Sequence, residues 1–273
     1  MRSQINGPSH DEIENQLREI KNEVNSASLL SRPDILNLTC ALAREYENND
    51  EFYSQVLSLF SASSNPNSNA CVYSSIRYAR RDGNCFYRCV AFRLCELILR
   101  DIEFAHQTLT DMRKTIRPRM HQQFGEYSDD FCDVAEGLVE RICNGELSTV
   151  DTVYEAVINE SEADYLIVYF RYAVSIYLRD HADEFIPFVM GLGYSTIELY
   201  CEAEVEPFFK DSDNVEIVAF AKLFDVTIHV EVLDPKAGQL TTLEIGSRSG
   251  AEVSPSRMVY LLFRPGHYDL LEL

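Results

Sequence analysis

Tryptophan is absent from these 273 residues and basic side chains are scarce, with 24 lysines and arginines against 44 aspartates and glutamates and a formal charge of −20. A nucleic-acid groove needs a basic face against the phosphates, and no basic run stands out, so nucleic acid is not an expected partner. Long apolar runs are missing too. The most apolar stretch, "YLIVYF", is cut by Arg171, which argues against a spanning helix and a membrane partner, and the opening "MRSQINGPSHDEIENQL" lacks the apolar centre of a secretory leader. The expected compartment is the cytoplasm, with the nucleus as a further location. No CxxC pair occurs among the eight cysteines at 40, 71, 85, 89, 95, 132, 143 and 201. Without an export signal they read as reduced thiols rather than a disulfide framework. The six histidines are scattered without metal-ligand spacing, so neither a metal nor another cofactor is expected.

What is present is 46% hydrophobic and 11% aromatic residues, enough for a sizeable core. In "DEIENQLREIKNEVNSASLL" the residues Ile13, Leu17, Ile20 and Val24 recur at helical spacing, and the opposite face is charged. Such a helix either packs on its own domain or forms an arm that binds a partner. A second helical stretch is expected through "PDILNLTCALAREYENNDEFYSQVLSLF", followed by the loop composition of "SASSNPNSNA". Between about 106 and 222 the pattern stays helical; then the period changes. "VTIHVEV" alternates like a half-buried strand, and "RMVYLLF" with "YDLLEL" predicts a closing hairpin around Pro265-Gly266, a type II turn pair. Helices first and a small, largely antiparallel sheet last make an α+β chain.

The chemistry gathers at "RDGNCFYR". Apolar Phe86, Val90, Leu94, Leu97 and Ile98 place a core helix directly after the Asp82-Gly83-Asn84 turn, with Cys85 in its first turn. Unpaired amides and the positive end of the helix dipole favour thiolate there, so the pKa of Cys85 is expected to fall. Asn84 is the expected N-cap, and the backbone N–H groups of Asp82, Gly83, Asn84 and Cys85 are candidate donors to an oxyanion. Cys89 and Cys95 lie inside the helix and read as small core residues. A thiol nucleophile needs a base held by an acceptor, and "PGHYDLL" supplies His267 and Asp269 two apart on a strand, on one side of it. His229 sits on the polar face of its strand with no turn to present it.

"DGNCFYR" together with "YLLFRPGHYDLL" resembles the otubains, the branch of the ovarian-tumour (OTU) cysteine proteases that remove ubiquitin. "EYENNDEFYSQVLSLF", "DYLIVYFRYAVSIYL" and "YCEAEVEPFFKDSDNVEIVAFAKLFDVTIHVEV" resemble otubain segments in the same order, so the likeness spans roughly residues 10 to 273. The resemblance implies an OTU-type, papain-like fold with a small, mostly antiparallel sheet between helical lobes. It implies Cys85 as nucleophile, His267 as general base, Asp269 as the residue that orients it, and Asp82 acting through its backbone at the oxyanion hole. It also implies monomeric protein, with ubiquitin, polyubiquitin chains and ubiquitin-conjugating enzymes as partners, and a preference for lysine-48 linkages. Residues 1–44 are then expected to form a helical arm contacting ubiquitin through Ile13, Leu17, Ile20 and Val24, and 45–273 the catalytic domain. The strand-turn-strand near 226 to 245 is expected to face ubiquitin, with His229, Glu231 and Asp234 as candidate contacts. Two departures stand out: Arg81 occupies a position where many relatives have proline, and the loop "SASSNPNSNACVYSS" is longer than usual. A rival reading keeps the ubiquitin contacts and drops the cleavage: a regulator that binds ubiquitin and conjugating enzymes and restrains ubiquitination.

Overall fold

The computed structural model describes residues 24, 26–60, 72–246 and 257–273. One six-stranded sheet organises them, comprising β1 (Asp34–Ile35), β2 (Ser75–Arg77), β3 (Thr227–Val232), β4 (Thr241–Ile245), β5 (Met258–Arg264) and β6 (His267–Glu272). The spatial order is β1-β2-β6-β5-β3-β4, in which the β3–β5 pair is parallel and every other pair antiparallel. The period-two alternation of β5 splits the core between the two faces of the sheet. Val259 and Leu261 join the large cluster built around the Cys85–Arg100 helix, whereas Tyr260 and Leu262 join a smaller one with Leu42, Val56, Leu59 and Tyr73. The sheet therefore lies between a large helical lobe and a small one, as the resemblance implies. The β5–β6 turn forms where Pro265-Gly266 places it, and Gly266 adopts the positive φ of 73° that the third position of such a turn requires. Among the described residues no helix is long and apolar enough to cross a membrane.

The boundary expected at residue 44 does not coincide with a structural break. The N–H of Ser31 donates to the Tyr78 carbonyl and that of Arg80 to the Leu29 carbonyl, while Leu30 bridges Ala79 and β1 pairs with β2. Leu36, Cys40, Leu42 and Ala43 are buried in the smaller core. Short apolar stretches that complete a sheet only through distant partners carry no period of their own, so they read as a detached arm. Ile13, Leu17 and Ile20 lie outside the described residues; Val24 is half-buried in a helical turn.

Candidate active site

The Cys85–Arg100 helix begins at the thiol, and the turn before it is shaped by Asp82. One carboxylate oxygen of Asp82 accepts from the Asn84 N–H at 3.0 Å, and the other receives the buried Arg88 guanidinium at 2.6 Å. The Asp82 N–H donates to the Arg80 carbonyl. Two of the four amides expected as oxyanion donors, those of Asp82 and Asn84, are thus already engaged inside the turn. Gly83 and Cys85 keep theirs free. Gly83 has φ +77°, and a Cβ there would meet the Phe209 carbonyl group at 2.5 Å, so no other residue fits without moving the 205–213 segment.

Asn84 occupies the N-cap position but makes no capping bond with its side chain. Its Oδ1 instead accepts from Arg171 Nε at 3.1 Å, from Arg171 Nη2 at 2.7 Å and from the Phe209 N–H at 3.3 Å. Arg171 is 1% exposed and also donates to the carbonyls of Gly83, Val205 and Lys210, with its guanidinium 4.7 Å from the centre of the Tyr87 ring. A buried guanidinium is tolerable only when its donors are used, and here they stitch the turn before the nucleophile to the facing segment. This clamp was missed in the sequence. Its signal was the arginine that interrupts "YLIVYF", read there only as evidence against a membrane span.

Opposite the thiol stands β6. The Tyr268 N–H donates to Cys85 Sγ at 3.4 Å, and His267 Nε2 lies 2.9 Å from Asp269 Oδ1, which leaves Nδ1 as the ring nitrogen available to sulfur. Asp269 is fully buried; the same oxygen accepts from the Ala79 N–H at 2.9 Å and the other from Arg264 at 2.5 Å. Burial alone raises its pKa, but the His267 bond and the Arg264 charge outweigh that and hold the carboxyl below its usual value. Residues Leu29 to Ser31 brace the Ala79 strand segment that makes one of these bonds.

The expected fall in the Cys85 pKa is not what the surroundings produce. The thiol is 2% exposed, and loss of solvation pushes it up to about 11 despite the bonds from the Tyr268 and Phe86 amides; Asp211 and Asp269 add to the rise. At pH 7 roughly one resting molecule in 10,000 then carries the thiolate. The helix start is where sequence placed it, yet desolvation and acidic neighbours outweigh the two backbone amides that favour thiolate.

A cleft of about 580 Å³ adjoins the site, lined on the loop side by Phe209, Asp211 and Asp213 and on the sheet side by Val230, Val232, Leu243, Phe263 and Tyr268. The candidate contacts on β3 face the other way. His229 Nε2 and Thr242 bond the buried Glu231 carboxylate together with the Tyr73 hydroxyl, all on the small-lobe side. Asp234 is tied through its backbone to Gln55 and through its carboxylate to the Lys236 N–H. The polar phase of the strand, expected to face outward, turns inward with Thr227 and Glu231 buried, whereas the apolar Val230 and Val232 line the cleft.

The family model of peptidase C65, otubain, matches residues 22–272. A Caenorhabditis elegans protein named ubiquitin thioesterase otubain-like is 30% identical over 272 residues, covering 96% of this chain and 88% of that protein. Human ubiquitin thioesterase OTUB1 is 33% identical over 231 residues, 84% of this chain and 79% of that one. A solved structure described as a ceOTUB1 ubiquitin aldehyde UBC13~Ub complex superposes with a TM-score of 0.78 at 29% identity, over 94% of this chain and 98% of that one.

Proposed function

The chain belongs to the peptidase C65 otubain family, and from that premise we propose that it hydrolyses the isopeptide bond between the C-terminus of ubiquitin and a lysine, with Cys85 as nucleophile. The observation that carries the proposal is the convergence of Cys85 Sγ with the His267–Asp269 pair across β6. Because the resting thiol is protonated, His267 Nδ1 takes its proton as sulfur attacks the glycine carbonyl. Asp269, ionised and hydrogen-bonded to Nε2, fixes the ring and stabilises the imidazolium. The free amides of Gly83 and Cys85 receive the oxyanion, and Asp82 acts on them through the turn it shapes. The imidazolium then protonates the leaving lysine amine, and water, deprotonated by His267, cleaves the thioester. Asp211 and Asp213 in the adjoining cleft suit the arginines that precede the terminal glycines. Lysine-48-linked chains are the preferred substrate and the cytoplasm and nucleus the site of action. A panel of diubiquitin linkages tests this: intact protein releases monoubiquitin, lysine-48 chains fastest, and Cys85→Ser releases none. Equal release by Cys85→Ser overturns it.

A second role, in which the protein binds more than it cuts, is favoured by the burial of the Cys85 thiol, which is 2% exposed. Solved relatives described as complexes of ubiquitin aldehyde with UBC13~Ub and UBCH5B~Ub suggest a ubiquitin-charged conjugating enzyme as partner. Cys85→Ser then retains inhibition of ubiquitin discharge. Loss of inhibition together with cleavage overturns this role.

A further inference from the structure

Phe209 departs from what its position asks of a residue. It holds φ +67°, a left-handed conformation that a bulky aromatic rarely adopts. The surroundings enforce it: its N–H is fixed on Asn84 Oδ1, its carbonyl is pressed against Gly83, and the next carbonyl, of Lys210, accepts from Arg171 at 2.6 Å. The core does not use the ring. Phe208 packs against the core, while Phe209 is 67% exposed, its ring T-shaped to that of Phe208 at 4.5 Å, and lines the cleft that Tyr268 also lines. An exposed aromatic held in a strained backbone at the mouth of a cleft has apolar area to bury only when something binds.

The chemistry of the cleft names the occupant. Phe209, Val230, Val232, Leu243 and Phe263 make it apolar; Lys210 is paired with Glu204 at 2.9 Å, and Asp211 and Asp213 leave the lining acidic on balance. That combination fits an extended chain in which aliphatic and cationic side chains alternate, as leucine and arginine do ahead of ubiquitin's two glycines. Because the Phe209 backbone abuts Gly83, two residues before the nucleophile, its ring meets the tail within a few residues of the scissile bond. Resting on the hydrolase reading above, we propose that Phe209 is a specificity-determining residue: its ring is the platform for the aliphatic tail residue nearest the diglycine, and the clamp of Arg171 and Asn84 presents it before substrate arrives.

The test is a cycle across enzyme and substrate, using a ubiquitin C-terminal fluorogenic substrate with its native tail and one whose nearest leucine is replaced by alanine. Phe209→Ala raises KM for the native tail about tenfold with kcat within about twofold, and Phe209→Tyr restores it. Wild type loses about tenfold on the alanine tail, whereas Phe209→Ala loses little more, because the partner of that leucine is already gone. Phe209→Gly raises KM as Phe209→Ala does but melts at a higher temperature, since glycine accepts the positive φ. An unchanged KM in Phe209→Ala, or additive losses in the cycle, overturns the assignment while leaving the hydrolase reading intact. A wild type that neither cleaves the native substrate nor is labelled at Cys85 by a ubiquitin-derived electrophile overturns both.

Discussion

Among the described residues two histidine-x-acid pairs lie on the sheet, and one of them flanks Tyr268, whose N–H donates to the Cys85 thiol. His267 and Asp269 on β6 stand 2.9 Å apart; His229 and Glu231 on β3 stand 3.2 Å apart. The register sets Glu231 and Asp269 in one row, each beside Leu262 of the intervening strand, so they lie roughly 10 Å apart on a sheet with strand spacing near 4.8 Å. Both carboxyls are buried, and both are held below their usual pKa against burial by hydrogen bonds, the histidine's foremost. The difference is what each imidazole is shown. β6 starts at a tight turn and meets the first turn of the Cys85 helix; β3 is covered by Tyr73, Tyr260 and Thr242, which close a structural network. The two pairs differ less in their own geometry than in the element delivered against each.

The comparison breaks most sharply on the two histidines. His267→Ala lowers kcat about 10⁴-fold or more, while His229→Ala leaves it within about twofold; steady-state hydrolysis of a ubiquitin C-terminal substrate measures both. Comparable damage from His229→Ala would reverse the assignment.

The acids sharpen it next. Asp269→Asn lowers kcat roughly 10²- to 10⁴-fold and also destabilises, because Arg264 is left buried with Glu45 alone, a loss of about 3 kcal/mol for a broken buried pair. Glu231→Gln lowers only the melting temperature. Since both carboxyls have depressed pKa values in the fold, the stability they contribute is present above their unfolded values and is lost as pH falls through the folded ones. Melting in acid therefore becomes less pH-dependent in either variant.

The thiol gives a third contrast. With its pKa near 11, Cys85 alkylation by iodoacetamide accelerates about tenfold per pH unit from 7 to 9 without a plateau. A plateau below pH 8 would mean that the dipole, not burial, governs the resting sulfur.

The smallest expected effect falls on the clamp. Arg171→Lys keeps the charge but loses the forked contacts to Asn84 and three carbonyls, lowering kcat about tenfold. An isolated melting change with kcat intact would restrict Arg171 to the core.

Residues that announce themselves locally were legible. The Cys85 helix follows from three-to-four spacing after a glycine turn, and the β5–β6 hairpin from Pro265-Gly266 between apolar runs. The H-x-D spacing of His267 and Asp269 needs only the pleat of one strand. What stayed hidden depends on distant partners: the pairing of 29–35 with 75–80, the guanidinium of Arg171 reaching the 84 and 205–210 segments, and the face to which His229 and Glu231 turn. The pKa of Cys85 failed for the same reason, as a helix start is local whereas desolvation is the sum of everything packed above it.

The place of β6 in the sheet has a consequence for biosynthesis. It lies between β2 and β5, yet its residues are made some 190 positions after β2. While the ribosome is still translating the segments between them, the helix that bears Cys85 emerges without its base, and β2 waits with an open edge. Closing so long a loop is slow compared with forming helices. A nascent chain therefore carries its thiol apart from His267, and chaperones meet an incomplete sheet until His267 to Glu272 slot into its centre.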